Sequence, residues 1–183
     1  MPQTDLSKYN KASYHPGGTG LKRILWFYAN ALFFKTSLLP VSVIKVMILR
    51  LFGAHIDKGV VIKPCVNIKY PWHLSVGQNA WIGERVWIDN LVMVTIGANV
   101  CISQGAMLIT GSHNYKKDTF DLITGRISLA EGVWIGAGAI VNLNITASSH
   151  AVLTAGSVAN NNLDAYSVYQ GNPAVKIRGR LLS

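Results

Sequence analysis

Five histidines and two cysteines are the side chains of this 183-residue chain best suited to exchange a proton or bind a metal near neutral pH. His113 is placed unlike the other histidines. It ends a run, residues 96–113, that repeats every six residues, and a long stretch without that repeat, 114–126, follows at once. An imidazole at the foot of a long loop can act as a general base toward a hydroxyl, and it can equally be an ordinary surface residue. His15, His55, His73 and His150 show none of the close spacing a metal site needs, so no metal is expected. Cys65 and Cys101 stand far apart, in no CxxC pattern and with no basic partner in view. They read as neither nucleophiles nor a disulfide framework, which fits a cytoplasmic setting. No Walker or dinucleotide glycine pattern occurs.

The elements that must position His113 come from the six-residue period, which marks a parallel β-helix rather than a helix of period 3.6. The hexads open at Ile56, Ile62, Ile68; Val76, Ile82, Ile88; Ile96, Ile102, Leu108; Leu129, Ile135, Val141; and Ala147, Leu153, Ala159. That makes five coils of three. Spacing within a coil is six, whereas 68 to 76 and 88 to 96 carry two extra residues and 108 to 129 carries fifteen. All insertions fall at one corner, so 114–126 is a loop thrown out from one edge. Fifth-place residues such as Val60, Val66, Val92, Val100, Ser112 and Val133 are expected inward, and only Trp72 is too large. Glycines at corners are expected to supply positive φ. By this register His113 faces outward, as do Trp81, Trp87 and Trp134. The fifth coil, opened by alanines, should pack less tightly. Beyond Asn160-Asn161-Asn162 the pattern stops, and a basic tail should leave the prism.

Residues 1–53 read as an arm followed by two short helices broken near Pro40 and ended by Gly53. Their apolar runs are divided by Arg23, Lys35 and Lys45 and fall short of the roughly 18 residues of a membrane span. The segment should cap the open end of the β-helix, residues 54–164, and its aromatic and basic content also suits peripheral contact with a membrane. Residues 165–183 form the tail. Seventeen Lys and Arg against eight Asp and Glu give a charge of +9, which favours an anionic partner. The charges are scattered rather than gathered in an aromatic-interleaved stripe, which speaks against nucleic acid.

The hexads, Thr110-Gly111-Ser112-His113, Gly132-Val133-Trp134-Ile135-Gly136, Ala155-Gly156-Ser157 and Gly171-Asn172-Pro173-Ala174 resemble the hexapeptide-repeat acyltransferase family over about residues 56–180. Trp26 to Phe34, Val61-Ile62-Lys63-Pro64, Asn67-Ile68-Lys69-Tyr70-Pro71-Trp72 and Trp87-Ile88-Asp89-Asn90 are similar, more narrowly, to acetyltransferases of colanic acid and other exopolysaccharide synthesis. The resemblance implies a left-handed parallel β-helix, a homotrimer, acetyl-CoA held between neighbouring prisms, and a histidine base, which is His113. It also puts Trp134 beside the reacting site. Where relatives often carry Thr-Lys-Asp, this chain has Asn160-Asn161-Asn162, and Val175 replaces a basic residue after the Pro-Ala pair.

On that footing Asp89 and Glu84, one coil before His113, are candidate acceptor contacts together with Trp134, or else solvated corner residues. Small residues at Ala137, Ala155 and Gly156 would let the pantetheine of CoA approach the backbone, with Lys176, Arg178 and Arg180 as phosphate partners. The expected activity is acetyl-CoA-dependent O-acetylation of a sugar hydroxyl in an exopolysaccharide or lipid-linked glycan precursor. Acetylation of a free sugar, amino acid or drug is an alternative. A non-catalytic scaffold is another, since fold does not dictate function.

Overall fold

In the computed structural model, which describes residues 3–9 and 14–182, the chain winds into a three-sided prism of stacked parallel strands. Residues 1–2 and 10–13 of the expected arm, and Ser183, lie outside the described residues. The first sheet joins His55–Ile56, Leu74–Val76, Val94–Ile96, Ile127–Leu129 and Thr146–Ala147. The second runs from Val61–Ile62 through Trp81–Ile82, Cys101–Ile102, Trp134–Ile135 and Val152–Leu153. The third holds Asn67–Ile68, Trp87–Asp89, Met107–Ile109, Ile140–Val141 and Val158–Ala159. All fifteen hexad-opening residues are buried, none more than 4% exposed, so the period-six register holds along the whole prism. The fifth coil is no looser in this respect: Ala147, Leu153 and Ala159 are as buried as their counterparts.

The inward fifth place fails at one corner only. Trp72, Val92 and Ser112 are half-buried there, and the inward position is taken two residues on by Leu74 and Val94 and, after the long loop, by Ile127. Each insertion thus lengthens the following strand by one inward-facing residue and pushes the expected one out to the edge. Corner glycines also divide into two kinds. Gly105 has φ +67°, as expected, but Gly136 has no positive φ. A Cβ at Gly136 would lie 2.4 Å from Ala155 N, so that glycine serves close coil stacking.

Two helices close the first coil: α1 (Gly20–Ala29), capped by the Thr19 hydroxyl and continued by a π-helical turn Asn30–Phe34, and α2 (Ser42–Leu51). Trp26, Phe34 and Leu49 enter the core, where full burial contributes roughly 1.5–3 kcal/mol for each such side chain. All three first-coil strands would otherwise expose an unpaired edge. Instead Trp26 Nε1 donates to Ile68 O (3.0 Å), the Ser42 hydroxyl both donates to and accepts from the Ile62 backbone, and Arg50 donates to Ile56 O. Lys45, one of the cations expected on a membrane face, is instead fully buried and donates to Lys63 O at 2.8 Å.

The tail does not leave the prism. Ser167–Gly171 adds a parallel strand to the second sheet beside Val152–Leu153, and Ala174–Gly179 folds back antiparallel as its edge. The asparagine run ties this turn down, with Asn160 accepting from Asn142 and Asn162 Oδ1 accepting from Thr146 N at 2.8 Å.

Candidate active site

His113 owes its position to a small hairpin at the insertion corner. Thr110, fully buried, donates its hydroxyl to Asp89 O (2.7 Å) and accepts from Leu91 N (2.8 Å), pinning the end of the third coil to the second. Gly111–His113 then pairs antiparallel with Leu122–Thr124, so the loop returns beside the histidine. Gly111 leaves room for the Leu91 side chain, since a Cβ there would sit 2.4 Å from Leu91 Cδ1. At the loop tip Lys117 Nζ lies 2.9 Å from Asp121 Oδ2, and that hydrogen bond lowers the Asp121 carboxyl pKa.

Phe120 supplies both the floor and the orientation of the imidazole. Its ring stacks on that of His113 at 4.4 Å between centroids and 8° between planes. Its carbonyl oxygen is 3.0 Å from His113 Nδ1. A carbonyl can only accept, so Nδ1 carries a proton, and in the neutral ring Nε2 then keeps the free lone pair a general base needs.

The cleft around His113 has a volume of about 330 Å³ and is lined by Asp89, Lys69, Tyr70, Tyr14 and Tyr9 among others. Asp89 Oδ1 lies 2.9 Å from Lys69 Nζ, an ion pair without hydrogen-bond alignment. The Tyr14 hydroxyl donates to Leu91 O at 3.1 Å, and burial pushes its pKa up. Tyr9 reaches the histidine ring at 5.7 Å between centroids. Behind this wall sits Asn90, fully buried. It accepts from Lys69 N and Tyr70 N and donates to Tyr70 O and His73 O, so its whole hydrogen-bonding capacity goes into shaping the segment that carries Lys69 and Tyr70. Lys69, Tyr70 and the arm tyrosines escaped sequence reasoning. Their one signal was the stretch 67–72 beside Trp87-Ile88-Asp89-Asn90, and nothing in the hexad pattern brings residues 9 and 14 to position 113.

The other candidates lie elsewhere. Glu84 is exposed on the corner between the second and third sheets, in a separate cleft with Trp81, Ser103 and Gln104. Further along that corner Trp134, Ala137 and Ala155 line a third cleft of about 340 Å³, the indole donating to Ser103 Oγ at 2.9 Å. Gly156 follows, and an added Cβ there or at Gly138 would meet nothing within 4 Å, so this edge offers bare backbone to a ligand carrying amides. Within one chain Trp134 therefore groups with the cofactor candidates, not with His113. Trp81 shares Trp134's row on the second sheet, whereas Trp87 belongs to the third. In the tail, Lys176 is 3.3 Å from Asp164, and Arg178 is exposed. Arg180 is committed to a different edge, its Nη1 donating to Gly132 O (2.9 Å) and His150 O (3.1 Å). Among the described residues no group of three or more His, Cys, Asp or Glu could hold a metal ion.

No protein-family model matches the chain. Among curated proteins it is 38% identical, over 177 residues and 97% of both chains, to WcaF of Escherichia coli strain K12, provisionally named as a colanic acid biosynthesis acetyltransferase. Galactoside O-acetyltransferase of the same organism is 27% identical over 128 residues, covering 68% of this chain and 63% of that one. Among solved structures, a hexapeptide-repeat acetyltransferase of Vibrio cholerae complexed with acetyl coenzyme A superposes with a TM-score of 0.79 at 19% identity, over 95% of this chain and 97% of the other. A galactoside acetyltransferase in complex with coenzyme A superposes at 0.77 and 22% identity, over 87% and 80%.

Proposed function

The chain belongs to the hexapeptide-repeat acetyltransferases, and from that premise we propose that it moves acetyl from acetyl-CoA to a sugar hydroxyl of an exopolysaccharide or lipid-linked glycan precursor. The observation that carries the mechanism is the Phe120 carbonyl on His113 Nδ1, which leaves Nε2 as the free acceptor. The acceptor oxygen attacks the thioester carbonyl while Nε2 takes its proton. The C–S bond then breaks, and the proton passes to the departing thiolate to give CoA-SH, with no acyl-enzyme. Asp89, in the same cleft, accepts from a second acceptor hydroxyl, and Tyr14 and Tyr70 give a sugar ring flat apolar surfaces.

CoA lies along the edge formed by Ala137, Ala155 and Gly156, with Trp134 beside it and Lys176 and Arg178 toward its phosphates. That edge and the His113 corner are different edges of one prism, and this separation is what supports a homotrimer: a neighbouring copy can set its His113 corner against this groove. Covering the exposed Trp81 and Trp134, which share one row of the second sheet, in the same contact adds to the argument. A stable monomer in sedimentation at micromolar concentration would remove this assembly. Reaction in the cytoplasm, where acetyl-CoA is available, with peripheral contact at the inner face of the membrane, completes the reading. The deciding experiment is acetyl-CoA turnover against a panel of sugars and glycan intermediates. Absence of transfer to any saccharide hydroxyl, with turnover on amino acids or drugs, would overturn the acceptor class.

A further inference from the structure

The helical cap turns apolar side chains in two directions. One stripe faces the core. On α1 a second stripe, Leu21, Leu25, Tyr28 and on to Leu32, is exposed. On α2 Val43, Met47 and Leu51 are exposed in the same way, Leu51 at 82%. A helix covering a soluble core normally shows charged and polar residues on that outer face. Here the outer face is apolar, and between Asp5 and Asp57 the chain contains no acidic residue at all. The described helices are too short to span a bilayer, so an apolar face with cations around it suits the interfacial plane instead.

Exposed Ile24 and Phe27 carry this surface around α1 to a groove of about 360 Å³ between α1 and the third sheet, with Arg23, Phe27, Lys35, Lys69 and Trp87 in its walls. Among the described residues neither Arg23 nor Lys35 has a carboxylate within ion-pair distance. The groove adjoins the His113 cleft, because Lys69, Tyr70 and Asp89 line both. The Lys69–Asp89 ion pair stands at that boundary. Apolar face, cationic groove and candidate base therefore follow one another without a break.

We propose that the cap docks on an anionic bilayer and that the groove takes the phosphate of a lipid-borne acceptor, whose sugar crosses Lys69–Asp89 to reach His113. This rests on the reading of the chain as a glycan O-acetyltransferase. Lipid, phosphate and sugar then match the chemistry of the three successive surfaces: aliphatic and aromatic, basic, and hydroxyl-binding. A fully water-soluble acceptor would have no use for the first.

The test uses the full chain with phosphatidylcholine vesicles, with and without phosphatidylglycerol, at low and high salt. Binding should require the anionic lipid and weaken with salt. Lys35→Glu should reduce it about tenfold or more, since each basic residue near such a surface is worth roughly 1 kcal/mol. Leu25→Glu with Met47→Glu should reduce it as strongly, and both positions are exposed, so the core is untouched. Trp26 and Trp87 line the groove, so their fluorescence should report farnesyl diphosphate binding at least about tenfold tighter than inorganic diphosphate, each tenfold being 1.4 kcal/mol. Equal binding of inorganic diphosphate would make the groove a site for free phosphates and overturn the lipid assignment. Absence of vesicle binding, or indifference to both variants, overturns the docking surface. So does dissociation of an oligomer by Leu25→Glu and Met47→Glu, which would put these helices between copies of the chain. Acetyl-CoA turnover with soluble sugars, measured on the same preparation, separates the claims: turnover without vesicle binding sinks the docking proposal alone, and binding without turnover against any saccharide sinks the proposed activity.

Discussion

His113 and Phe120 are joined twice, by parallel rings 4.4 Å apart and by a hydrogen bond of 3.0 Å from Nδ1 to the Phe120 carbonyl. The stack sets the plane of the imidazole and the carbonyl sets its tautomer. The pair lie seven positions apart in sequence, and the antiparallel pairing of Gly111–His113 with Leu122–Thr124 brings them together.

Removing a general base costs about 10²- to 10⁴-fold in rate. His113→Ala should lose kcat on that scale while acetyl-CoA affinity and melting temperature stay close to wild type, because the side chain sits at a corner outside the core. His113→Asn should behave alike, as it cannot take a proton at neutral pH. Retention of more than about a tenth of wild-type turnover by His113→Ala, less than the usual general-base effect, would end the assignment.

Asn90 shapes the cleft from behind, and its amide makes four hydrogen bonds to the backbone of residues 69, 70 and 73. Asn90→Asp keeps the shape but turns an oxygen toward the carbonyls of Tyr70 and His73. Each buried group left unpaired costs about 1–3 kcal/mol, so chemical denaturation should show a loss of at least that size. A variant as stable as wild type would mean that water or a backbone shift replaces the amide.

The two tail arginines should separate by assay. Arg178→Ala, at an exposed position on the edge strand, should raise the acetyl-CoA KM much more than it changes kcat. Arg180→Ala strands the carbonyls of Gly132 and His150 and should lower the melting temperature while leaving KM near wild type. If Arg180→Ala instead raises KM with unchanged stability, its side chain leaves those carbonyls for the cofactor.

Burial holds the His73 imidazole below its ordinary pKa. The folded chain therefore binds this proton less readily than the unfolded one, and its contribution to stability is complete above the ordinary histidine value of about 6.5. As pH falls below that value stability declines, until folded His73 is itself protonated. Urea midpoints measured from about pH 7.5 downward should fall more steeply for wild type than for His73→Gln, which has no proton to gain in this range. Parallel slopes would show that His73 is not the group responsible.

The hexad openers from Ile56 to Ala159 determined the prism by themselves. A period of six with β-branched or small residues inward admits one way of burying that row, and one-residue slips would turn every inward side chain to solvent. The corner of the insertions, the loop 114–126 and the helical cap were legible for the same local reason. At that corner the count alone does not say that Leu74, Val94 and Ile127, rather than Trp72, Val92 and Ser112, point inward. Tertiary structure alone decided the rest. The tail stays on the prism because its strand pairs with Val152–Leu153 and buries Val168 and Tyr169 on the last coil. Tyr9, Tyr14 and Lys69 reach His113 because the arm and successive coils bring together residues 44 to 104 positions apart. Trp134 and His113, twenty-one positions apart, are sent to different edges because six residues turn the chain through a third of the prism. Spacing in sequence measures distance along the strand direction, whereas a binding cleft is built from contacts between coils.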